Sequence, residues 1–160
     1  MSFTTLRWLF PLVILLHNLE EAIWLPEWAK RTGFWRIPVS PGAFRFAAAV
    51  LTALAVTVTS LSANPAGQTV WTYLTFGYMV AMLANVFFPH VFLSISTRSY
   101  MPGTVTAVAL TLPVLSFLVA SALAERQVSG WSAIAYGVGV PVLLLLSLPA
   151  LFKLGRVLNI

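Results

Sequence analysis

The sequence predicts an all-α, polytopic membrane helix bundle with about five transmembrane helices. Three observations carry this. Of the 160 residues, 59% are hydrophobic and only 8% are charged, and the mean hydropathy is +0.91; a soluble domain carries about 25% charged residues. Several apolar runs reach the roughly 20 residues that a helix needs to cross a bilayer. These runs are continuous, whereas a transmembrane barrel would show alternating strands of about 10 residues. The length fits a single integral-membrane domain spanning residues 1–160.

The first span is expected from Leu6 to Leu25. A non-spanning segment at about 26–43 follows, since its aromatic and long basic side chains suit the headgroup zone. It holds Glu27, Lys30, Arg31 and Arg36 together with Trp28, Phe34 and Trp35. The second span is expected from Phe44 to Leu61, ending at the turn Asn64-Pro65-Ala66-Gly67. The third runs from Val70 to Ser94. It is followed by Arg98-Ser99-Tyr100-Met101-Pro102-Gly103, where Pro102 suits the start of a helix. The fourth runs from Thr104 to Ala124 and the fifth from Trp131 to Phe152. Pro113, Pro141 and Pro149 lie inside apolar runs, which membrane helices tolerate.

Cysteine is absent, which excludes disulfides, thiolate metal sites and a cysteine nucleophile. The formal charge of +5 does not point to nucleic acid, because the basic residues flank apolar spans and suit anionic headgroups. Their distribution predicts orientation. The first loop, third loop and C-terminus share one side and carry Lys30, Arg31, Arg36, Arg45, Arg98, Lys153 and Arg156; the other side carries Arg7 and Arg126. The positive-inside rule then puts the N-terminus outside and the C-terminus in the cytoplasm of a cell (plasma) membrane.

The residues most expensive to bury form one cluster. The chain has four acidic residues and two histidines, and Glu20 and Glu21 sit beside His17 within the first span. A charge at the bilayer centre costs about 2.5–3.5 kcal/mol even on the lenient insertion scale, so such groups face a bundle interior or cavity and mark function. Positions i, i+3 and i+4 share a helix face, which gathers His17, Glu20 and Glu21 into one arc. At 1.5 Å per residue, Glu20 lies roughly 20 Å along the first span, and Asn85 and His90 lie roughly 22 and 30 Å along the third, which runs in the same direction. Both polar groups therefore fall in the cytoplasmic half. Thr106 starts the next span, with Arg98 and Tyr100 just below.

Two imidazoles and a carboxylate can hold one divalent metal, zinc or similar, with a position left for water or substrate. The expected ligands are His17, Glu20 and His90, with Glu21 as general base. Without metal, Glu20, Glu21 and His17 supply acid/base catalysis, and a protonated glutamate can act on a polyene. Asn85, Arg98, Tyr100 and Thr106 are the expected substrate-binding residues, Arg98 being suited to a phosphate headgroup. Trp24, Phe76, Tyr78, Phe87 and Phe88 are candidates for cation–π stabilisation of a carbocation.

At this point the chain resembles the HXXEE family of small membrane proteins. His17-Asn18-Leu19-Glu20-Glu21 matches the motif, Asn85-Val86-Phe87-Phe88-Pro89-His90 fits a second polar region, and the Arg98–Gly103 turn with Thr106 fits the pattern that follows. The resemblance implies a membrane topology and the location of the site, and adds little about the reaction.

The expected function is a membrane-embedded enzyme acting on a lipid or isoprenoid-type substrate, by metal-assisted hydrolysis or by cyclisation or isomerisation. The alternatives are a proton- or ion-coupled transport or binding protein, since intramembrane Glu and His also build proton relays, and a structural or accessory membrane subunit. A homo-oligomer is compatible with each.

Overall fold

A computed structural model describes residues 2–33, 39–64 and 68–158. Among them, five helices are long and apolar enough to cross a membrane: Phe3–Thr32, Pro41–Ala63, Thr69–Ser96, Thr104–Ala124 and Gly130–Val157. The chain is a multi-pass membrane helical protein. Large apolar side chains cover its outer surface, among them Leu143, Leu145, Leu146 and Ile95, each more than three-fifths exposed. Such a surface suits lipid and not water.

The segment expected to lie off the spans at about 26–43 is shorter than its composition suggests. The first span carries on through Pro26 to Thr32 and ends at Gly33, whose φ of 64° supplies the left-handed helix cap. The second begins at Pro41, and the Ser40 hydroxyl caps it by accepting from the Ala43 N–H at 3.1 Å. Trp28 belongs to a buried cluster with Leu25, Ala29, Phe44 and Met101, so burial against the second span prolongs the helix. Phe34, Trp35, Arg36 and the turn residues Pro65, Ala66 and Gly67 lie outside the described residues.

The first span packs against the second and fourth, and the third packs against the second, fourth and fifth. The main core lies where the first, third and fourth meet, around Phe10, Ile14, Met79, Leu115 and Leu118. Phe10 meets Tyr78 edge-to-face, with ring centroids 5.3 Å apart. The third and fifth spans touch through a glycine. A Cβ on Gly77 would stand 2.4 Å from the Tyr136 carbonyl oxygen and 2.7 Å from a Val140 methyl. Small residues permit this close backbone approach in membranes.

Two irregularities shape the interior. The third span breaks at Phe88 (φ −134°, ψ 119°), as expected for a residue before proline, which is pushed out of the α region. The fourth span opens into a wide turn over Ala107–Thr111 before Pro113. Both lie beside the polar cluster.

Candidate functional site

His17 and His90 are completely buried, Glu20 nearly so, and the Glu21 side chain is 15% exposed. The imidazoles of His17 and His90 meet edge-to-face with centroids 4.9 Å apart. His90 Nε2 lies 3.2 Å from Glu21 Oε1, and His17 Nε2 lies 4.0 Å from Glu21 Oε2. The first and third spans thus bring both histidines of the chain onto Glu21.

Glu20 points elsewhere. Its Oε1 accepts from the Gly103 N–H at 2.8 Å and from the Tyr100 hydroxyl; its Oε2 accepts from the Thr106 N–H at 3.0 Å and the Thr106 hydroxyl at 2.6 Å. The carboxylate therefore caps the N-terminal end of the fourth span, where free N–H groups and the helix dipole favour an anion. Desolvation of the Tyr100 hydroxyl, its bond to Glu20 and the Glu20 charge push the phenol up to about 12, so Tyr100 stays a donor at neutral pH.

The hydrogen bonds also set the His17 tautomer. The Thr106 hydroxyl has one proton, and the Glu20 carboxylate at 2.6 Å or the Gly103 carbonyl at 3.2 Å takes it. Towards His17 Nδ1, 3.0 Å away, Thr106 must therefore accept. His17 carries its proton on Nδ1 and turns the Nε2 lone pair towards Glu21, where the Asn85 amide donates to it at 3.3 Å. Orientation of one imidazole nitrogen by a bond on the other is how a metal-ligating histidine is held.

The ligand set differs from the expected one. His17, Glu21 and His90 offer one atom each within 4.8 Å of one another; Glu20 is outside the set. Successive residues are about 100° apart around a helix, so Glu21 faces the third span while Glu20 faces the fourth. Roles for Glu20 as ligand, acid or base are also at odds with its four accepted hydrogen bonds. Two ligands on a tetrahedral metal at 2.0–2.1 Å stand about 3.3–3.4 Å apart; His90 and Glu21, at 3.2 Å, are close to this spacing, while His17 and Glu21, at 4.0 Å, would draw together around an ion. Among the described residues neither His90 ring nitrogen has a hydrogen-bond partner, a costly state of about 1–3 kcal/mol per group, and a cation between Nε2 and Glu21 would relieve Nε2. The residues fit a divalent metal.

Among the expected substrate-binding residues, Asn85 and Thr106 are spent on His17 and Glu20, and Tyr100 on Glu20. Arg98 is exposed on the turn at φ 49° and makes no ion pair among the described residues. Gly103 was not among the expected site residues. Its φ of 93° and the 2.5 Å that would separate a Cβ from His90 Cε1 both demand glycine. The Pro102-Gly103 pair was the available signal.

Glu21 looks into a cavity of about 610 Å³ among the first, second, third and fifth spans. Its walls are apolar, including Leu25, Ala48, Met82, Leu144 and Phe152, and Asn18 and Asn85 stand beside Glu21. Of the aromatic candidates, Tyr78 and Phe88 line it, while Phe76 belongs to the core.

The H-x-x-E-E residues that build this site lie within residues 8–119, which match the family described as "Protein of unknown function with HXXEE motif". The chain belongs to the HXXEE family. A fellow protein, the "Uncharacterized protein YrkK" of Bacillus subtilis (strain 168), is 32% identical over 146 residues, covering 91% of this chain and 92% of that protein. No solved structure matches the chain. In HXXEE terms, the structure gives the histidine and second glutamate to the His90 cluster and the first glutamate to the fourth span.

Proposed function

We propose that this HXXEE protein is a membrane-embedded, metal-dependent hydrolase of a lipid-type substrate. The observation that carries the reading is the buried His17–Glu21–His90 set opening, through Glu21, onto an apolar cavity. Two histidines and a carboxylate leave an open position on a catalytic zinc-like ion. A metal held there supplies Lewis-acid polarisation and a water nucleophile at neutral pH. The protein's own residues do the rest. Thr106 and Glu20 fix the His17 tautomer, the His17 Nε2 lone pair would go to a metal in place of the Asn85 amide, and the cavity holds the substrate against Glu21. His17, Glu21 and His90 would hold the ion, and the Glu21 carboxylate would also be the group able to accept a proton from water.

The excess of basic residues on the side of the first and third loops supports an orientation with Tyr100 and Gly103 at the cytoplasmic face of a plasma membrane and the N-terminus outside. The reaction then draws its water from the cytoplasm.

Metal analysis of the purified protein tests the reading. The wild type is expected to hold about one divalent ion per chain, and His90→Ala and Glu21→Gln to lose it; Tyr100→Phe is expected to keep it. Removal of the ion by a chelator lowers the melting temperature of the wild type, because a ligand at about 100 times its Kd adds about 2.7 kcal/mol to the folded state. A folded wild type that holds no metal and is not stabilised by zinc or manganese overturns the proposal. The 3.2 Å contact of Glu21 with His90 would then favour the acid/base version, with these two residues as the proton-transfer pair.

A further inference from the structure

The cavity carries information about the substrate. None of its described lining residues is lysine or arginine. Arg31 lines a different groove, beside Trp24, Tyr100 and Pro102, and Arg98 is exposed on its turn. With no metal bound, an anionic headgroup brought to Glu21 would meet a carboxylate and, among the described lining residues, no lysine or arginine, in surroundings where an unpaired charge is costly.

The polar groups at the Glu21 end are biased towards acceptors. The Asn18 amide nitrogen is spent on the Ala48 carbonyl at 3.2 Å and the Thr52 hydroxyl at 2.8 Å. That of Asn85 is spent on His17. Their side-chain carbonyls, and the Glu21 carboxylate when no metal holds it, remain to receive hydrogen bonds, a set that suits hydroxyl groups.

Size and access narrow the class further. A volume of about 610 Å³ lies in the range of about 300–1,000 Å³ that encloses one drug-sized molecule, enough for one hydrocarbon chain and short of a two-chain glycerolipid. The lining includes Phe88, Val142 and Leu145, each about half exposed or more on the apolar outer surface. The cavity therefore communicates sideways with the bilayer.

We infer that this cavity binds one uncharged, single-chain lipid with hydroxyl groups at its polar end, admitted from the bilayer past Phe88, Val142 and Leu145. The inference rests on the reading of the site as one that acts on lipid, and does not need the metal.

Native mass spectrometry of the purified full chain, stripped of metal by a chelator, tests it with three probes: 1-monooleoylglycerol, oleoyl lysophosphatidic acid and dioleoylglycerol. The first is expected to bind one per chain and about tenfold or more tighter than either of the others. Ala81→Phe and Leu148→Trp, which fill the cavity, are expected to weaken it by a similar factor. His90→Ala is expected to keep the binding. If that variant loses metal and keeps lipid, the cavity and metal readings are separated. If the wild type as purified holds no metal and still prefers monooleoylglycerol, the hydrolase reading falls and this one stands. Equal or tighter binding of the phosphate-bearing or two-chain probe overturns it. So does monooleoylglycerol binding that both filled variants retain, or no binding of any probe. Should the filled variants fail to fold, the ranking of the three probes on the wild type still decides.

Discussion

Glu20 and Glu21 are adjacent in the chain and about 100° apart around the helix, and the angle decides what each can do. Glu20 receives four hydrogen bonds from Tyr100, Gly103 and Thr106, while Glu21 approaches the two histidines. Glu20→Gln is nearly isosteric, yet it replaces one acceptor oxygen by an NH₂ that faces donors. One or two donors at the start of the fourth span lose their partner, at about 1–3 kcal/mol each. The expected outcome is a lowered melting temperature in detergent with metal content retained. Loss of metal at unchanged stability would instead return Glu20 to the ligand set. The arc His17-x-x-Glu20-Glu21 was legible in the sequence, because helical spacing fixes it. The division of labour was not, since a shared arc does not say which neighbouring helix each residue meets.

At the scale of elements, depth along a straight helix was an incomplete guide. A regular rise places His90 about 7.5 Å below Asn85, yet Asn85 bonds His17 and His90 stacks edge-on against it. The break at Phe88 lets one span deliver both side chains to one imidazole. A proline inside a helix, here Pro89, loosens it, but the geometry of the break depends on packing. Glycines show the same limit. Gly137 and Gly139 stand out in the sequence as a pair, but a Cβ on Gly139 meets nothing within 4 Å, whereas Gly77 is pressed against the fifth span. Gly77→Ala is therefore expected to destabilise by about 1–3 kcal/mol through overpacking, and Gly139→Ala to be neutral or stabilising by up to about 1 kcal/mol. Thermal unfolding of the two variants side by side checks this; equal effects would contradict the close third–fifth contact.

For the whole molecule, the five spans were legible because apolar length is a property of sequence alone. The fourth was placed at its observed ends, Thr104 and Ala124. The cavity was not legible, since it arises from how the first, second, third and fifth spans leave space between them. Orientation remains tied to the seven-to-two distribution of basic residues, and the chain itself supplies a clean test. It contains no cysteine, so a single introduced thiol reports without background. Ser99 lies on the third loop and Ser129 on the fourth, both exposed, and the fourth span separates them. A membrane-impermeant maleimide added to intact cells is expected to label the Ser129→Cys protein and to reach the Ser99→Cys protein only after permeabilisation. The opposite pattern would put Tyr100, Gly103 and the water supply of the site outside the cell. Labelling of both from one side would contradict the fourth helix as a crossing, and with it the topology that gathers Glu20, Thr106 and His90 at one depth.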